Sequence, residues 1–182
     1  MASHAVDEVR AVLALFQDGY AARDLTTLDA FMALFDCDAG IELIGIGASK
    51  RGGAEWFEGH QAIREILESD WQYWGQVHID VAGAKITVLD RAAWLSTTGT
   101  LEQTESFDHA LPLYLDQMVA ILEDGEKDAD ERLLEASHFG VRRLRERLKG
   151  EGHRWPFVLS AVLVCREGGW RFHTIHWSMP VD

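Results

Sequence analysis

The chain ends in Gly169-Trp170-Arg171-Phe172-His173-Thr174-Ile175-His176-Trp177-Ser178, a run that brings imidazoles and hydroxyls together. Imidazole is the side chain that exchanges a proton near neutral pH, and a neighbouring hydroxyl can hold a substrate by a hydrogen bond. The run is β-prone and is launched by Gly168-Gly169. Regular alternation predicts Trp170, Phe172, Thr174, His176 and Ser178 on one face, and Arg171, His173, Ile175 and Trp177 on the other. The first face would join apolar anchors to polar groups, so it could serve both a core and a pocket. His176 is the candidate proton-transfer group, with Thr174 and Ser178 as ligand contacts. A core histidine satisfied by a backbone carbonyl has the same signature.

Other chemistry is scattered. An offset of three puts His173 and His176 on opposite faces of a regular strand, and His60, His78 and His138 show no ligand spacing. No metal and no cofactor is expected. Asp36, Asp38, Glu42 and Asp80 can be acids, but residues so placed are more often caps, turn formers or solvated strand residues. Ser96, Thr97, Thr98 and Thr100 put hydroxyls on both faces of one predicted strand, for a ligand or for ordinary β-propensity. Trp56, Phe57, Trp71, Tyr73, Trp74, Trp94, Trp155 and Trp177 are material for an apolar pocket or for core packing. Gly45-Ile46-Gly47 is too short for a dinucleotide fingerprint. Cys165 reads as inert core.

The elements that must position these residues follow from periodicity. Val6, Val9, Leu13, Phe16 and Tyr20 mark one helical face. Asp24 can cap a second helix burying Leu25, Leu28, Phe31, Met32 and Phe35. A short β-prone run covers 41–44, Gly52-Gly53 breaks the chain, and a third helix starts at Gly59 and reaches Trp71 to Trp74. Val77 to Leu89 reads as a long strand with a bulge at Gly83, followed after Asp90-Arg91 by a strand to about Glu102. Residues 106–153 read as a helical hairpin inserted between strands, with Leu111, Tyr114, Leu115, Met118 and Leu122 on one stripe and Leu133, Leu134, Val141, Leu144 and Leu148 on another. Strands resume at Trp155. Clustered strands indicate an α+β fold with one antiparallel sheet, in one domain over 1–182.

The chain has 17 Lys and Arg against 30 Asp and Glu, a formal net charge of −13. That disfavours nucleic acid and anionic membranes as partners. Cys37 and Cys165 are the only cysteines, which fits a reducing compartment. With no signal-peptide pattern and no apolar run long enough to span a bilayer, the expectation is cytoplasmic.

Phe16 to Phe35, with its break at Arg23-Asp24, the glycine-led Gly59 to Leu67, and the closing Gly169 to Ser178 resemble the nuclear-transport-factor-two-like superfamily, and within it the SnoaL-like, polyketide-cyclase-like domains. The resemblance covers residues 5–104 and 154–181; the helical insertion departs from it. It implies a cone: a strongly curved antiparallel sheet with three helices from the N-terminal half on its concave face. It also implies a homodimer paired through sheet faces. Such folds carry isomerases, dehydratases, epoxide hydrolases and cyclases, as well as non-catalytic association domains, so the fold alone does not choose the function.

The reading that results is binding of a small, apolar, cyclic molecule in the cone, with cofactor-independent acid–base catalysis. His176 and Tyr20 would be its catalytic residues, Thr98 a further donor, and Trp71 and Trp74 its walls. The alternative is a non-catalytic ligand-sensing or protein-association module.

Overall fold

The structure is a computed structural model and describes residues 2–48, 50–51, 55–104 and 107–179. Gly52, Gly53 and residue 106, the expected chain break and start of the insertion, lie outside them. Two compact units are present: residues 1–101 with 155–182, and residues 102–154.

In the larger unit, α1 (Ala2–Ala22) buries Val9, Leu13, Phe16 and Tyr20 at three- and four-residue steps. It stops at Arg23, whose φ of 50° is left-handed. The Asp24 carboxylate then accepts from Thr26 N at 2.9 Å and starts a single 3-10 turn, Leu25–Thr27. Only after that turn does α2 (Leu28–Met32) form, burying Leu28, Phe31 and Met32. The expected second helix is thus shorter, and Leu25, assigned to its buried side, is exposed.

Strands β1 (Glu42–Ile44) and β2 (Trp56–Glu58) precede α3 (Gly59–Tyr73), which turns in at Ile63, Leu67 and Trp71. β3 (Gln76–Ile79), β4 (Lys85–Leu89), β5 (Ala92–Glu102), β6 (Arg154–Arg166) and β7 (Gly169–Ser178) complete a seven-stranded sheet in the order β2-β1-β7-β6-β5-β3, with β4 also on β5. The sheet is curled and does not close. It is not wholly antiparallel: β1 runs parallel to β7, Leu43 opposite Ile175.

The expected long strand 77–89 is split. Asp80 N donates to Thr98 O at 2.9 Å, and Lys85 stands opposite Ser96. Residues 81–84 therefore loop out opposite Thr97 alone, a larger interruption than a one-residue bulge at Gly83. Thr97 Oγ1 donates to Asp80 O at 2.6 Å and pins that loop.

The smaller unit holds α4 (Phe107–Glu123) and α5 (Ala129–Lys149). Asp128 accepts from Glu131 N at 2.9 Å at the start of α5, and Arg132 donates to Leu122 O at 3.1 Å at the end of α4. Between the helices, Tyr114 meets Phe139 edge-on at 6.3 Å and Arg143 lies over Tyr114 at 4.4 Å. Gly140 faces Met118. No helix among the described residues is long and apolar enough to cross a membrane.

Candidate functional site

The closing strand does not keep the alternation expected of it. Val162 on β6 pairs with Thr174, but the next residue, Leu163, pairs with Phe172. His173 is the extra residue, a β-bulge, and it reverses the parity of everything beyond it. Trp170 and Phe172 point into the core, and after the bulge Ile175 and Trp177 do so instead. Thr174, His176 and Ser178 turn outward, opposite Val162, Ser160 and Val158 of β6. His176 and Ser178 are exposed and Thr174 is half-buried. The expectation that these three line the concave face beside Phe172 is therefore corrected. Thr98 is corrected as well: it is exposed, while Ala93, Leu95, Thr97 and Leu101 are the inward residues of β5.

The remaining candidates converge. Tyr20 at the last turn of α1 and Trp71 at the last turn of α3 are almost fully buried, and Trp74 is half-buried just beyond α3. Arg23 fastens the two helix ends. Its Nε donates to Trp71 O at 2.7 Å, its Nη2 to Asp70 O at 3.0 Å and its Nη1 to Gly75 O at 3.4 Å. These carbonyls include ones that a helix C-terminus leaves without internal partners. The left-handed turn at Arg23 thus positions the Tyr20 hydroxyl, which donates to Asp70 Oδ2 at 3.0 Å.

Asp70 is the residue that sequence reasoning passed over. It is half-buried as a residue, but its carboxyl is the part that reaches the buried phenol. Burial pushes its pKa up from 3.8 to about 7; the Tyr20 hydrogen bond and the Arg23 charge oppose the rise, and the Glu55 carboxylate adds to it. Burial, with the charge of Asp70, raises the Tyr20 phenol well above its ordinary value. The pair is a carboxyl that titrates near neutrality, held by a phenol that stays protonated.

Aromatic rings surround it. Tyr20 lies 5.8 Å from Trp177, 6.4 Å from Trp74 and 6.5 Å from Trp71, in each case edge to face. Trp74 and Trp177 stand perpendicular at 5.4 Å. The indole Nε1 of Trp71 is buried with no hydrogen-bond partner, a donor left open next to the pair in sequence.

A second buried carboxylate behaves oppositely. Asp36 is fully buried and takes Arg166 Nη2 on Oδ2 at 2.6 Å and Arg166 Nε on Oδ1 at 3.2 Å. Its own N–H donates to Phe172 O at 2.8 Å, next to the bulge. The Arg166 hydrogen bonds hold its pKa below the usual value despite the burial that opposes them. This pair ties the segment after α2 to the end of β6 and is structural. Among the described residues no group of three or more His, Cys, Asp or Glu is gathered to hold a metal ion.

The sequence matches no family model and no curated protein. The structure matches solved ones across the whole chain. A protein from Streptomyces avermitilis, provisionally named a dehydratase of the NTF2-like family, aligns with TM-score 0.61 at 10% identity over 100% of each chain. An NTF2-like superfamily protein from Salmonella enterica aligns with TM-score 0.60 at 14% identity over 99% of this chain and 94% of its own. A protein with a cystatin-like fold from Caulobacter vibrioides aligns with TM-score 0.58 at 11% identity over 98% and 92%. The fold is the NTF2-like, cystatin-like one.

Proposed function

We propose that this protein binds a small, largely apolar, cyclic molecule beside Tyr20 and Asp70 and carries out cofactor-independent acid–base chemistry on it, of the isomerase, dehydratase or cyclase type. One observation carries the reading: a carboxyl raised to about 7 and hydrogen-bonded to a buried phenol. A general base near the working pH is both available and strong enough to take a proton from carbon or oxygen. Tyr20 holds the carboxyl in place with the one hydrogen bond its hydroxyl can donate. Trp74, half-buried, is the ring such a ligand would stack on, and Trp71 Nε1 is a donor left open. A dehydratase, the provisional name of the Streptomyces protein, belongs to this class of chemistry, and this chain shares the fold alone with it. His176 has no part in this reading.

A fused-ring phenol, 2-naphthol, is a suitable probe. It should quench tryptophan fluorescence saturably, and Asp70→Asn and Tyr20→Phe should each weaken binding by about tenfold, the worth of one charge-assisted hydrogen bond. Equal binding to all three proteins, or no saturable quenching, rejects the site. The second reading, an association module, is favoured by a separate observation: the smaller unit exposes Leu133, Leu134, Val141, Leu144 and Leu148 together.

A further inference from the structure

The exposed apolar side chains of α5 are not scattered. Leu134, Ser137, Val141, Leu144 and Leu148 recur at alternating steps of three and four, the spacing of a coiled-coil seam. Leu134 is 59%, Val141 55%, Leu144 54% and Leu148 78% exposed. The seam is not the face that packs on α4. That face carries Ala136, Phe139, Gly140 and Arg143: Ala136 is buried, Phe139 and Arg143 meet Tyr114, and Gly140 meets Met118. Burying such a seam needs a surface of matching shape and charge.

Charge along α5 says what that surface is. Asp128, Asp130 and Glu131 stand at its start, and Arg142, Arg143, Arg145 and Lys149 at its end. A second α5 laid parallel would set acid on acid and base on base. Laid antiparallel, it would set each acidic end on a basic one. The seam has the same property. With a two-fold axis near residue 139, Leu134 of one copy meets Leu144 of the other, Ser137 meets Val141, and Glu131 comes beside Arg145.

We propose that α5 is a self-association helix, on which two copies of this chain pair antiparallel through Leu134, Val141 and Leu144, with Glu131 of each copy facing Arg145 of the other. The interface is isologous, so both charge pairs form at once. It is independent of the ligand site proposed above.

Charge reversal tests this on the full chain. Sedimentation velocity over a concentration series should show self-association of the wild type. Glu131→Arg alone and Arg145→Glu alone should each raise the apparent dissociation constant about tenfold, two attractive pairs becoming repulsive. Mixing the two single variants should restore wild-type association, because each then supplies the sign the other lacks. Leu144→Lys, checked for helix content by circular dichroism, should abolish the association. The proposal is overturned if the wild type sediments at the mass of one chain. It is equally overturned if the reversals leave association unchanged, which places the interface on another surface, or if the mixture associates no better than its components. The reversals lie on the exposed face and keep the test decisive should Leu144→Lys misfold.

Discussion

Asp36 and Asp70 are both acids held inside the fold, and their neighbours push them in opposite directions. Asp36 has a guanidinium on both oxygens, so the charged form wins. At Asp70, burial and the nearby Glu55 carboxylate outweigh the Tyr20 hydrogen bond and the Arg23 charge, so the neutral form is favoured up to about pH 7. The folded state therefore binds the Asp70 proton more tightly than the unfolded chain does. Its contribution to stability is fully present below the ordinary carboxyl range and is lost as pH rises through 7. Asp36 contributes above that range, and its contribution is lost as pH falls through its depressed value. From these two groups together, stability should be greatest near pH 4 and fall as pH rises toward 7. Asp70→Asn keeps the neutral shape and removes the buried charge. It should stabilise the protein by about 2 kcal/mol at pH 8 and by much less at pH 4, measured by urea unfolding at both; this discounts the full shift because Asp70 is only partly enclosed. An equal effect at the two pH values would show that Asp70 titrates normally.

At the scale of elements, two irregularities decide what faces the interior. The bulge at His173 reverses the end of β7, and the loop at 81–84 lets β3 and β4 share one edge of β5. The first left a trace in the sequence. Trp170 and Phe172 have one parity and Ile175 and Trp177 the other, so the apolar pattern itself changes phase. Reading the strand as regular made Thr174, His176 and Ser178 look like pocket residues. Gly99 shows the same dependence on packing. It is in an inward position on β5, where an added Cβ would lie 2.2 Å from Phe157 Cζ and 2.4 Å from the His78 carbonyl oxygen. The backbone oxygen cannot step aside as a side chain can. Gly99→Ala should therefore destabilise by about 2 to 3 kcal/mol in thermal or urea unfolding, although alanine is the stiffer residue in the unfolded chain. A neutral result would mean that β3 and β5 are not held in this register.

At the scale of the molecule, the two units are sustained differently. The larger one carries an aromatic core running from Phe35 and Phe172 through Phe16 to Trp177 and Phe157, with neighbouring ring centres 4.9 to 6.3 Å apart. In the smaller one, Ala136 is the sole fully buried apolar residue among those described. Hydrogen exchange at high dilution should therefore be fast in α4 and α5 and slow in α1, β6 and β7. Raising the protein concentration should protect α5 if its seam is covered by a second copy. Uniform protection at all concentrations would mean that the smaller unit has a core of its own. The sequence by itself determined the order and kind of most elements, the two helices between β5 and β6 among them, and the α+β class. Period, caps and turn glycines are local properties, and each segment carries them whatever it packs against. Tertiary structure decided which residues share a site. Asp70 reads as one more polar residue late in a helix until Arg23, forty-seven positions earlier, locks that helix end against Tyr20. His176 reads as buried until its neighbour strand shows which way it turns. A pKa near neutrality and a strand's parity both depend on groups distant in the chain, and distance in the chain is what a local pattern does not record.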